Sequence, residues 1–161
     1  MDAVPALARW FHFMAGIMWV GLLYYFNFVQ MAALKSAAAD GSAAAINRHI
    51  TVRALAWFRW AAVATWLTGA TLLGKDFTAA FTLQISHLAI GIGAWLGTIM
   101  LVNVWALLWP AQKLALGLVE ASEAKRSAAR RRAFIVSRLN LVLSFPLLFF
   151  MGAAGHAASY F

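Results

Sequence analysis

The sequence predicts an all-α integral membrane protein, a four-transmembrane-helix bundle that occupies residues 1–161 as one domain. Three observations predict it. First, 64% of residues are hydrophobic and only 11% are charged, with a mean hydropathy of +0.78. A soluble domain is nearer half apolar and a quarter charged, and a small one cannot bury such an excess. Second, the apolar residues fall in four blocks that reach the roughly 20 residues a bilayer requires. Third, the basic residues lie between these blocks. Backbone amides in lipid must be satisfied internally, so the blocks read as helices. A barrel would need shorter strands of alternating polarity.

The first span covers about residues 7–31. It is long, carries Trp and Tyr, and lacks a strongly basic leader, so it reads as a membrane span and not as a cleavable signal. An Ala-rich connection with Gly41 at its turn follows, ending in a short surface helix through Ile46 and His49. The second span is 54–73. The connection 74–83 is short, which makes spans two and three antiparallel neighbours. The third span is 84–109 and ends at Pro110. A basic, partly amphipathic helical loop, 110–132, leads to the fourth span, 133–157. Pro146 within that span should bend it and free the carbonyl of Val142.

Lys and Arg counts orient the bundle. The first connection carries Lys35, Arg48 and Arg53; the third carries Lys113, Lys125, Arg126, Arg130, Arg131 and Arg132. The second has Lys75 alone, beside Asp76. The first and third connections are therefore expected in the cytoplasm, with Arg9 a minor opposing charge. The expected chain is therefore multi-pass, with both termini on the non-cytoplasmic side. The net charge of +8 is then a matter of topology and lipid headgroups, not of nucleic acid.

Ionisable groups inside a bilayer are costly and need a reason. His12, His87 and His156 fall at one outer depth; His49 lies on the opposite side. Each outer His has a Gly four residues further into the membrane, on the same helical face: Gly16, Gly91 and Gly152. Such a Gly removes bulk beneath the imidazole, which a flat macrocycle needs if the ring is to reach its iron. Imidazole is a common haem ligand, and bundle interiors hold such cofactors. The plainer reading is that Gly lets helices approach, as in Gly93-x-x-x-Gly97, and that an interfacial His bonds a neighbour or water. The inner level holds Asn27, Arg59, Asn103 and Asn140, with Arg138 nearer the boundary. Interhelical hydrogen bonding is the ordinary role of the amides; Arg59 could also hold an anion such as a haem propionate. Trp10, Trp57, Trp60, Trp105 and Trp109 mark interfaces, whereas Trp19, Trp66 and Trp95 lie deeper.

The absence of cysteine excludes disulfides, thiolate metal sites, iron–sulfur clusters and covalent haem attachment. The acids Asp2, Asp40, Asp76, Glu120 and Glu123 are all in connections or at the terminus. No carboxylate pair is available within the spans, and no phosphate loop, zinc-protease motif or nucleophile elbow is present.

Three stretches carry a family resemblance: Arg9-Trp10-Phe11-His12 with Ala15-Gly16-Ile17-Met18-Trp19-Val20-Gly21; Asn103-Val104-Trp105 with Trp109-Pro110-Ala111-Gln112-Lys113; and Arg138-Leu139-Asn140 with Leu143-Ser144-Phe145-Pro146 through His156. Together they resemble the membrane domain of bacterial membrane-bound urate oxidases, the urate oxidase N-terminal family. The first stretch is also similar to the wider group of small four-helix, His-bearing membrane proteins, including haem-binding protoporphyrinogen oxidase and copper-resistance domains. Longer members of the family carry a c-type cytochrome, for which this sequence has no Cys-x-x-Cys-His site. The resemblance implies a bundle suited to haem b or a metal ion, with His12, His87 and His156 at the matching positions, and a place in the bacterial inner membrane with both termini periplasmic.

Three functions follow as expectations. The first is a redox module that binds haem b, with His12 and His87 as the iron ligands and His156 in reserve, and that exchanges electrons with an external c-type cytochrome or a quinone. The second is a non-catalytic accessory subunit of a larger respiratory or photosynthetic membrane complex, docked through small faces such as Gly93/Gly97 or Ala61/Thr65. The third is a copper or other metal site at His12 and His87.

Overall fold

The computed structural model describes residues 3–154, with side chains from residue 6 onward. His156 and the end of the fourth expected span lie outside the described residues. Among the described residues every regular element is a helix. Helix α1 runs over 3–37, built from Ala3–Tyr24, a widened π turn at Tyr25–Gln30, and Met31–Ala37. Helix α2 covers 43–73, with a π turn at Asn47–Thr51 leading into Val52–Leu73. A short helix α3 follows at Phe77–Phe81. Helix α4 covers 88–115, with a π turn at Asn103–Leu108. Helix α5 is continuous over Glu123–Ala154, with Pro146 inside it.

Three stretches are long and apolar enough to cross a membrane: Ala6–Ala37, Ile85–Ala115 and Glu123–Ala154. The fourth long helix, α2, carries Arg53 and Arg59 among its apolar residues. Helix α1 packs chiefly on α2, and α4 on α5, with lighter contacts closing the set. Trp19, Leu23, Phe58, Ala62, Met100, Val104 and Val136 form the centre. Large apolar residues such as Ile17, Phe28, Trp57, Val142 and Phe149 point outward. Apolar groups outside and amides inside is the reverse of a soluble bundle.

Polar cross-links join the four long helices in a ring. Gln30 Nε2 donates to Thr51 Oγ1 (2.8 Å), tying α1 to α2. Trp66 Nε1 donates to Thr98 Oγ1 (2.9 Å), tying α2 to α4. Asn103 Nδ2 donates to Asn140 Oδ1 (2.9 Å) and Asn140 Nδ2 to the Met100 carbonyl (3.2 Å), tying α4 to α5. Asn27 Nδ2 donates to Ser137 Oγ (3.0 Å) and Ser144 Oγ to Tyr24 Oη (3.2 Å), tying α5 back to α1. The expected role of the inner amides is therefore met. Two of them, Asn27 and Asn103, sit in π turns. A π turn displaces the i→i−4 ladder, and Asn27 Nδ2 also bonds the Leu23 carbonyl one turn back (2.8 Å).

Two connections differ from the sequence-based expectation. The basic segment 110–132 is not one helix. Helix α4 ends after Ala115 in a turn that places Gly117 at φ +71°. There Leu118 N–H bonds the Lys113 carbonyl and Gly117 N–H the Leu114 carbonyl, a Schellman arrangement that only a residue at home in left-handed space ends comfortably. The basic residues from Lys125 onward instead form the first turns of α5. The second connection is likewise structured: α3 ends in the same way, with Leu83 at φ +55° and its N–H on the Ala80 carbonyl. Gly93 and Gly97 face Met151 and Leu147 of α5, and Ala61 and Thr65 are buried. Both small faces suggested for another chain are thus used inside this one.

Candidate functional site

Helix α1 carries His12 on the face that meets α2. The imidazole Nδ1 lies 2.9 Å from the Thr65 carbonyl and 3.1 Å from Thr68 Oγ1. A carbonyl can only accept, and the Thr68 hydroxyl already donates to the Ala64 carbonyl (2.6 Å). The proton therefore sits on Nδ1, and Nε2 carries the lone pair. That is the arrangement by which proteins orient an imidazole for a metal: one nitrogen held by a backbone carbonyl, the other free to ligate. The clearance beside the ring comes from Gly69, where a Cβ would stand 2.9 Å from His12 Cε1. Sequence reasoning missed Gly69 because it belongs to another helix; only packing pairs it with His12.

His87 lies just before helix α4. Its Nδ1 meets Ser86 Oγ (2.8 Å), and its Nε2 lies 3.8 Å from Asp76 in the second connection. Among the described residues no hydrogen bond or ion pair joins it to His12. The partner glycines also have distinct surroundings. A Cβ on Gly16 would make ordinary contact with Thr65 Cγ2 at 3.8 Å. A Cβ on Gly91 would collide with the Ala80 carbonyl, so Gly91 is required by the close approach of α3. A Cβ on Gly152 would meet nothing within 4 Å. His49 is exposed, in the π turn before the main run of α2.

Arg59 is placed by aromatic rings. Its guanidinium lies 3.3 Å from the centroid of Trp109 and 5.6 Å from that of Trp105. The two indoles are four residues apart on one face of α4, and together they take a cation from α2. Arg59 Nε is buried without a hydrogen-bond partner. Of the deeper tryptophans, Trp19 is core, whereas Trp66 and Trp95 bond Thr98 Oγ1 and the Phe81 carbonyl. Among the described residues, no group of three His or acidic side chains could hold a metal ion together.

The sequence matches the family model described as urate oxidase N-terminal over residues 76–161, more than half of the chain. The chain belongs to the urate oxidase N-terminal family. The matched part of this family member begins at Asp76 and takes in α3, α4 and α5, with His87, Gly91, Asn103 and Asn140. His12 and Arg59 stand before it. No curated protein and no solved structure matches the chain.

Proposed function

We propose that this family member is a four-span membrane redox module that holds one b-type haem on His12 and exchanges electrons with a carrier outside the cytoplasm. The observation that supports it is the Nδ1 contact with the Thr65 carbonyl, which orients the ring and leaves Nε2 as the ligating atom. Gly69 lets the ring lie close against α2 in that orientation. Haem bound there would supply one-electron chemistry. The chain's own part is to fix the imidazole tautomer and to keep polar groups inside an apolar exterior. His87 and His156 are the candidates that would supply a second ligand.

The membrane placement belongs to the same reading. Helices α1, α2, α4 and α5 would each span once, with the basic start of α5 in the cytoplasm and both termini outside, as the Lys and Arg asymmetry favours.

Absorbance of the protein purified from haem-replete cells, oxidised and reduced, tests the haem. A Soret band is expected; His12→Ala should abolish it and His49→Ala should leave it intact. Loss with His87→Ala would identify His87 as the second ligand. A wild-type protein without a Soret band overturns the haem reading and leaves the accessory-subunit and metal readings, which native gels after mild extraction and metal analysis would separate.

A further inference from the structure

Helix α2 and the end of α4 bring two cations to one indole. The Arg59 guanidinium lies 3.3 Å from the Trp109 centroid, and Lys113 Nζ, from the next turn of α4, lies 5.7 Å from the same centroid. Trp105 stands one turn back on α4, with its centroid 5.6 Å from the guanidinium and Trp60 packed edge-on against it. Like charges gathered around one ring repel, and beside an apolar surface water screens them poorly. Among the described residues no acid offsets them. Asp76 and Glu123 stand beside His87 and Arg130, and Asp40 accepts from Ser42. Glu120, in the connection after α4, forms no ion pair with either cation. Arg59 Nε is enclosed, but the terminal nitrogens of Arg59 and Lys113 Nζ are neither enclosed nor hydrogen-bonded within the chain. They are accessible donors with nothing to donate to.

The surroundings define the guest. Trp57 and Trp60 of α2 are 64% and 60% exposed, and outward tryptophans mark the depth at which lipid headgroups lie. Further along α4, away from Lys113, Val102 and Ile99 are exposed as well and offer an apolar track for a hydrocarbon chain. The guest is therefore amphipathic, with an anion at its polar end. A phosphodiester oxygen accepts from a guanidinium and from an ammonium alike. A zwitterionic headgroup carries its own ammonium into the field of the two cations; an anionic headgroup does not. We propose that Arg59 and Lys113 hold the phosphodiester of an anionic phospholipid at the seam between α2 and α4. The proposal rests on the membrane placement given above and is independent of the haem on His12.

Native mass spectrometry of the full chain in detergent, titrated with phosphatidylglycerol or with phosphatidylcholine of the same acyl chains, reads the preference. Phosphatidylglycerol is expected to bind about tenfold more tightly, since each cation near an anionic headgroup contributes about fivefold. Arg59→Gln and Lys113→Gln remove the charge, and each should weaken phosphatidylglycerol binding about fivefold with little effect on phosphatidylcholine. Should Arg59→Gln fail to fold, Lys113→Gln decides. Lys35→Gln, exposed near the end of α1, should bind as wild type, and excess inorganic phosphate should leave the lipid in place. His12→Ala should also bind as wild type, so the haem reading fails separately. Membrane fractionation reads the placement by itself: a chain recovered in membranes that shows no lipid preference overturns this site alone. Equal affinity for the two lipids, wild-type affinity in Lys113→Gln, or an equal loss in Lys35→Gln would overturn it. Displacement of the lipid by inorganic phosphate would assign the cations to a free anion and overturn it too.

Discussion

His12 shows how much one residue's role depends on its neighbours across a helix interface. The methyl of Gly69→Ala would stand 2.9 Å from His12 Cε1, closer than carbon atoms pack, and the ring would have to move. We expect a loss of about 1–3 kcal/mol, the usual cost of overpacking, and, if His12 holds the proposed haem, a changed absorbance spectrum. Gly16→Ala places its methyl 3.8 Å from Thr65 Cγ2, an ordinary contact, and should be close to neutral. Thermal unfolding of the two variants in the same detergent checks the contrast; equal melting temperatures would contradict it. Arg59 makes a second case. Its planar group stacks on Trp109, and a lysine cannot reproduce that contact. Arg59→Lys should cost about 1 kcal/mol and shift tryptophan emission, whereas an unchanged spectrum would mean the stack is not held in solution.

At the scale of elements, two helix ends and one interhelical pair carry the consequences. Helix α3 ends with Leu83 in left-handed space, where a side chain costs roughly 1–2 kcal/mol. Leu83→Gly removes that strain and should raise the melting temperature unless the lost Leu83 contact above Gly91 outweighs it. Gly91→Ala cannot be relieved in the same way, because its methyl meets backbone, the Ala80 carbonyl. It should displace α3 from α4 and destabilise more than Gly69→Ala. Chemical denaturation of the three variants ranks them. The Asn103–Asn140 bond joins α4 to α5 in the interior, and interhelical bonds of this kind couple by about 0.6 kcal/mol in membrane proteins. A double-mutant cycle with Asn103→Ala and Asn140→Ala should return a coupling of that order; strict additivity would show that the pair contributes only bulk.

For the whole molecule the prediction is orientation. The basic first turns of α5 should face the cytoplasm and the α3 region the outside. The chain has no cysteine, so single cysteines at Ser127 and Thr78, both exposed, report cleanly. An impermeant thiol reagent on cells whose outer barrier is opened should label Thr78→Cys and spare Ser127→Cys. The opposite pattern would invert the bundle and would move His12 to the inner side.

Much of this architecture was legible in the sequence because it rests on local quantities. Apolar length and a low density of charge mark the long helices, and residue type alone names Asn27, Asn103 and Asn140 as interior hydrogen-bonding groups. The tertiary structure decided what depends on which faces meet. Gly117 ends a helix where the basic composition alone reads as continuous, because the Schellman bonds to Lys113 and Leu114 form only once Gly117 takes its left-handed conformation. Gly93 and Gly97 serve α5 of the same chain, a choice of partner that no spacing encodes. His12 is oriented by Thr65 and relieved by Gly69, whereas His87 is engaged by Ser86 and Asp76. In sequence the two histidines look alike, each four residues from a glycine. They differ because hydrogen bonds and clearances are made between helices, and periodicity along one helix carries no information about what stands opposite it.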